Sequence, residues 1–233
     1  MATFVLVIGA WHGGWAWQRV APLLRAEGHT VYTPTLTGLA DRSHLASDEV
    51  NLTTHVTDIV HLIDYEDLSE VVLVGHSYSG FVVTGVAAER ADRITHLVFL
   101  DAFVPNSDGE TFVQHVGPVA EAMVSGPNWR VEVPDPPVGD FGVEDAADLA
   151  WIRAKMTPHP RGTMKEGVRM HKALEAQGFR LTYVLTSKES PFFVPTAARV
   201  GARPGWEVRE LREGHDSMVT APKQLTELLV SLA

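Results

Sequence analysis

Val71-Val72-Leu73-Val74-Gly75-His76-Ser77-Tyr78-Ser79-Gly80 is the stretch whose reading decides the fold. Four consecutive apolar residues with a β-branched majority form a strand buried on both faces, as in a parallel sheet. The run stops at Gly75, and an apolar helical pattern from Phe81 to Arg90 begins almost at once. Ser77 therefore sits in a sharp strand-to-helix turn. Small neighbours are what a serine needs when it is held on a strained backbone at the end of a sheet, with its hydroxyl projecting outward. That layout is a nucleophile elbow. The competing reading is a turn of small residues after a core strand.

Similar runs flank this one. Phe4-Val5-Leu6-Val7-Ile8 precedes it, together with Thr30–Tyr32, and Leu97-Val98-Phe99-Leu100 and Leu181-Thr182-Tyr183-Val184-Leu185 follow. Trp206-Glu207-Val208-Arg209-Glu210-Leu211 alternates as an edge strand would. Helical patterns separate the strands. One spans Trp17 to Glu27 and stops at Gly28. Another carries Val56, Ile59, Val60 and Ile63 on one face behind a cap at Thr53 or Thr54. The last opens at Pro222, a favoured first helical position. Strand and helix in alternation predict an α/β fold. The expected form is a doubly wound, mostly parallel sheet of about six strands in one domain over residues 1–233. From Asn106 to about Gly178 no convincing strand is found. A structureless loop of that length is unexpected in a compact domain, so residues 106–178 are read as an inserted helical cap.

The chain has 233 residues, 45% of them hydrophobic, and a formal net charge of -10. The charge disfavours nucleic acid and anionic membrane as partners, since both attract basic faces. Cysteine is absent, which removes disulfides and thiolate chemistry. The first residues carry no basic leader, and no apolar run is long enough to span a bilayer. A cytoplasmic protein, monomeric or homodimeric, is the expectation.

Gly9-Ala10-Trp11-His12-Gly13-Gly14-Trp15 follows the first strand. If the strand order runs second, first, third, fourth and onward, this loop and the Ser77 elbow lie together at the switch point of the sheet. The backbone amides of Ala10 and Tyr78 are then candidates for an oxyanion hole. Trp11, His12, Phe103 and Met218 are candidate pocket residues, whereas Trp15 and Trp17 are assigned to packing. Among eleven histidines, His215 stands out in Glu213-Gly214-His215-Asp216-Ser217-Met218, between the last strand and the last helix. A loop there can hang an imidazole over Ser77. His55 and His61, with Asp58 between them, could be weak metal ligands, but a solvated helix face is favoured because no further ligand falls at a recognised spacing. His76 is read as structural. The acid that orients His215 is expected after the penultimate strand, where Glu189 is the only carboxylate. Asp101, at the end of the fourth strand, is the alternative.

At these residues the chain resembles the hydroxynitrile lyase and plant methylesterase branch of the α/β-hydrolase superfamily and its bacterial esterase relatives. The segments that carry the likeness are Gly9 to Trp15, Pro34 to Leu39, the elbow, Phe99 to Pro105, Thr186 to Phe192 and Gly214 to Met218. Three positions depart from the pattern. Ile8 stands where a His is usual, Ser79 where a Gly is usual, and Glu189 where an Asp is usual. The resemblance implies a carboxylic ester hydrolase with Ser77 as nucleophile, His215 as base and no cofactor or metal. Its expected substrate is a small, apolar or aromatic ester. Two alternatives come from other classes. One is a hydroxynitrile lyase, disfavoured because members carry Lys after the catalytic His where Asp216 stands here. The other is a ligand-binding or biosynthetic-pathway protein on a hydrolase scaffold.

Overall fold

Six parallel strands form the central sheet of the computed structural model, which describes residues 1–134, 141–187 and 189–233. In chain order the strands are β1 (Thr3–Val7), β2 (Thr30–Tyr32), β3 (Val71–His76) and β4 (Ile94–Leu100), then two short cap strands, β5 (Arg130–Val131) and β6 (His159–Pro160), then β7 (Arg180–Leu185) and β8 (Trp206–Glu210). The sheet order is β2-β1-β3-β4-β7-β8, the order on which the switch-point reading of the two loops depends. All six residues of β3 are buried, whereas β8 at one edge is mostly exposed. Continuous and alternating patterns thus separate centre from edge.

The helices are α1 (Ala21–Ala26), α2 (Leu52–Tyr65), α3 (Ser79–Arg90), α4 (Phe112–Val116), α5 (Pro118–Val124), α6 (Ala146–Lys155), α7 (Gly162–Lys165), α8 (Phe193–Gly201), α9 (Ser217–Thr220) and α10 (Pro222–Ser231). Right-handed crossovers put α1, which leads from β1 to β2, on the face opposite α2 and α3, which lead the other way. The packing of α1 on α10 and of α2 on α3 accords with this. α2 starts earlier than expected. Asn51, not Thr53 or Thr54, is its cap, and the Asn51 side chain and Thr54 satisfy each other's backbone amides.

The segment between β4 and β7 carries α4 to α7, and side chains of α4 and α5 line a cavity beside Ser77, at the carboxyl end of β3. It is not purely helical. β5 and β6 pair antiparallel through Arg130↔Pro160 and Val131↔His159. Two-residue strands leave no periodicity in a sequence, which is why none was read there. Part of the Pro-rich piece, from Asp135 onward, lies outside the described residues. None of the described helices is long and apolar enough to cross a membrane.

Candidate active site

Ser77 occupies the turn between β3 and α3 with φ 56°, in the left-handed region that L residues avoid. Backbone bonds over-determine it. Its amide donates to Leu100 O at 3.3 Å, and its carbonyl accepts from Gly80 N and Phe103 N at 3.1 Å each. The neighbouring segments come so close that only glycine fits in two places. A Cβ on Gly9 would lie 2.7 Å from Ser77 Cβ, and one on Gly80 would lie 1.9 Å from Phe103 O. The hydroxyl of Ser79 donates to the carbonyl of Ile8. Two of the three departures from the expected pattern therefore meet in one bond, which ties the start of α3 to the end of β1 and the loop that follows it.

His215 lies in the loop after β8 and donates from Nδ1 to Asp101 Oδ2 at 3.0 Å. Of the two acids the sequence offered, the structure brings Asp101, the alternative, and not Glu189 to His215. Glu189 is exposed and makes no contact with His215 among the described residues, whereas Asp101 is fully buried beneath it. The reason is sheet adjacency. β4 and β7 are neighbours, so Asp101 at the end of β4 faces the first residues after β7. Its carboxylate accepts from Thr186 N at 2.9 Å, from Ser187 N at 3.2 Å and from the Ser187 hydroxyl. Burial alone would raise the Asp101 pKa, but His215 and these donors bring it below the ordinary carboxylate value. Asp101 is thus an anion that fixes the His215 tautomer and leaves Nε2 as the free basic atom. The ring is stacked on Phe193 with centroids 4.7 Å apart, and His76 Nε2 donates to the His215 carbonyl at 3.1 Å. Burial lowers the His76 pKa to about 3, so that ring stays neutral.

Ser77, His215, Ala10 and Tyr78 all line one cavity of about 850 Å³. Among the described residues, the amides of Ala10 and Tyr78 have no hydrogen-bond acceptor, and neither does the Ser77 hydroxyl have a partner. Catalytic contacts in free enzymes commonly tighten only when substrate arrives. Trp11 and Phe103 line the cavity, together with Phe112, Phe141, Phe192 and Phe193. His12 and Met218, expected in the pocket, do not. Both are buried behind it.

His12 has a different task. Its Nδ1 donates to Ala10 O at 2.8 Å, and its Nε2 lies 3.2 Å from Asp216 Oδ2. Burial pushes the His12 pKa down, but Asp216 more than offsets this and the net shift is upward. Burial likewise pushes Asp216 up, while His12, His76 and His215 bring it below its ordinary value. The raised His12 pKa gives stability that is present below about 6.5 and is lost as pH rises through the folded value. The lowered Asp216 pKa gives stability that is present above about 3.8 and is lost as pH falls through the folded value. Asp216→Asn should therefore lower Tm by several degrees at pH 6 and by clearly less at pH 9. Thermal denaturation at the two pH values checks this, and an equal loss at both would count against a charged pair.

The structure corrects the solvated helix face expected for His55. His55 is fully buried, while Asp58 accepts from Thr37 and Arg42 at the protein surface. His159, in the cap, was not singled out at all and is also fully buried.

Comparison with known proteins agrees with this architecture. Residues 4–228 match the model of the alpha/beta hydrolase family. A carbendazim hydrolyzing esterase of Nocardioides sp. (strain SG-4G) is 37% identical over 245 residues, covering all of both chains. Methylesterase 2 of Arabidopsis thaliana is 36% identical over 115 residues, which is 45% of this chain and 40% of that protein. Among solved structures, an extracellular alpha/beta-hydrolase from a Paenibacillus species superposes with a TM-score of 0.84 at 26% identity, covering 99% of this chain and 98% of that one. It is described as sharing structural and functional homology with tobacco salicylic acid binding protein 2. The chain belongs to the alpha/beta hydrolase family, in the branch of plant methylesterases and their bacterial esterase relatives, and is a hydrolase of the carboxylesterase type.

Proposed function

We propose that the protein hydrolyses small, neutral, apolar or aromatic carboxylic esters through a Ser77–His215–Asp101 triad. One observation carries the reading. His215, held at Nδ1 by Asp101, shares a cavity with the Ser77 hydroxyl and with two backbone amides that have no acceptor among the described residues. Ser77 Oγ attacks the ester carbonyl while His215 Nε2 takes its proton. The Ala10 and Tyr78 amides receive the oxyanion. His215 then protonates the leaving alcohol and later activates the water that releases the acid. The residues alone perform each step, with no cofactor.

The cavity walls support the substrate class. They are rich in aromatic side chains, and the charged residues among the described lining are carboxylates, such as Glu144, Glu189 and Glu213. An anionic ester would meet repulsion there. The lyase alternative finds no support at the residue after the base, because Asp216 is a buried carboxylate against His12, not a cation facing the cavity.

A p-nitrophenyl ester series from acetate to octanoate, methyl esters of aromatic acids, and carbendazim together test this. Turnover of short p-nitrophenyl esters and neutral aromatic methyl esters is expected, with rates falling for an aromatic ester that carries a second, ionised carboxylate. Turnover confined to charged, hydrophilic esters would contradict it.

A further inference from the structure

We infer that His55 and His159 are positioning residues that hold the two halves of the oxyanion hole from behind, and that the cap supplies one of them. The inference rests on the proposed use of the Ala10 and Tyr78 amides.

Each histidine has a hydrogen-bonding pattern that allows one tautomer. His55 Nε2 faces the carbonyl of Thr37 at 2.8 Å, and a carbonyl can only accept, so Nε2 carries the proton. His55 Nδ1 is then an acceptor, and the Tyr78 hydroxyl lies 3.1 Å away to donate to it. For His159 the logic runs from the other side. The amide of Trp11 can only donate, and it points at His159 Nδ1 at 3.4 Å. Nε2 must then carry the proton, and it meets Thr163 Oγ1 at 2.8 Å, whose own proton goes to Pro160 O. Both rings are fully buried, and burial holds both below the ordinary histidine pKa, His55 at about 4. Neutral rings with a free Nδ1 are what the two acceptor roles require.

The groups they hold are not the donors of the oxyanion hole but lie beside them, on Tyr78 itself and on the residue after Ala10. Tyr78 supplies one of the hole's amides, and its side chain packs edge-on against both imidazoles, with ring centroids 5.9 Å from His55 and 4.7 Å from His159, while the two imidazoles lie 5.7 Å from each other. Trp11 follows Ala10, which supplies the other. The peptide joining Ala10 to Trp11 is pinned at both ends, its carbonyl by His12 Nδ1 and its N–H by His159 Nδ1.

Trp11 itself needs holding. Its φ is 64°, a conformation that a bulky residue adopts only when its surroundings impose it. All three of its polar groups go to the cap. The N–H donates to His159, the carbonyl accepts from Thr157 N at 3.0 Å, and the indole N–H donates to Val131 O at 3.3 Å. Those partners lie on or beside the paired strands β5 and β6. The cap therefore clamps the oxyanion loop as well as covering the pocket. Preorganised donors stabilise charge without reorganising during the reaction, so a loosened clamp should weaken the transition state and spare substrate binding.

The test compares His159→Leu, which removes the acceptor, with His159→Asn, whose Oδ1 can replace Nδ1. Hydrolysis of p-nitrophenyl acetate is measured alongside inhibition by phenylboronic acid, a tetrahedral mimic that bonds to the serine. His159→Leu should lower kcat by roughly 30- to 100-fold with KM within about threefold, and weaken the boronate by a similar factor. His159→Asn should recover most of both. Tyr78→Phe keeps the backbone amide and removes only the hydroxyl, which His55 and Thr163 both hold. It should cost about 5- to 20-fold in kcat with the same pattern, and it decides the matter if His159→Leu does not fold. A folded His159→Leu or Tyr78→Phe with wild-type kcat, or a kcat loss without a matching boronate loss, would overturn the inference. Wild-type turnover that survives Ser77→Ala would instead overturn the esterase mechanism on which it rests.

Discussion

Ser77→Ala is expected to lower kcat for p-nitrophenyl acetate by about 10⁴- to 10⁶-fold while leaving the fold and Tm nearly unchanged. The size follows from the chemistry. Without the hydroxyl no acyl-enzyme can form, and only the binding and oxyanion groups remain to act on water. The small effect on stability follows from the location. Ser77 Oγ makes no hydrogen bond among the described residues, and the left-handed backbone at φ 56° is held by the amide and carbonyl bonds of residue 77, which alanine keeps. Steady-state kinetics with circular dichroism checks both parts. A loss below tenfold would remove Ser77 from the mechanism.

Asp101→Asn is expected to cost on the order of 10⁴-fold in kcat, and Glu189→Gln no more than a few-fold. Asn at 101 presents an amide with one acceptor and one donor. The backbone amides of Thr186 and Ser187 both donate to Oδ1 and hold the amide oxygen there, so the NH₂ takes the place of Oδ2 and faces His215 Nδ1 and the Ser187 hydroxyl, which can turn to accept. His215 must then keep its proton on Nε2, which disables it as a base toward Ser77. Glu189 touches no triad atom among the described residues, so losing its charge alters only the cavity's field. Measured side by side, the two variants separate the acids cleanly. A large loss in Glu189→Gln with little in Asp101→Asn would reverse the assignment.

That pair of residues also shows where the sequence stops being legible. The sheet could be read because parallel strands buried on both faces need uninterrupted apolar runs, and β1, β3, β4 and β7 have them. Ser77 could be singled out because it follows β3 directly, and His215 because it lies in the short loop between β8 and the last helices, so that both fall at the carboxyl end of the sheet. The acid could not be fixed that way, since Asp101 and Glu189 both follow strands of the same sheet. What separates them is a turn with φ 42° at Asp101 and three donors arriving from the neighbouring strand end, and neither leaves a mark on residue order.

The histidines teach a related lesson. His55 lies four residues before Ile59 and beside Val56, on the apolar stripe of α2, so its burial was available from the helical period. His159 offered no comparable signal. It matters through a contact 148 residues away in sequence, made by a strand only two residues long. His12 and Met218 were placed in the pocket because their segments reach it, but alternate side chains along a loop point to opposite sides. Trp11 faces the cavity, while His12 turns inward to Ala10 and Asp216.

The most direct test of the serine esterase mechanism is intact-mass analysis of the protein mixed rapidly with p-nitrophenyl acetate and quenched in acid, followed by peptide mapping. A single acetyl adduct on Ser77 is expected. It should form at the rate of the p-nitrophenol burst and be absent from Ser77→Ala. Sustained turnover with no adduct, or an adduct on another residue that forms as fast as turnover, would contradict the mechanism.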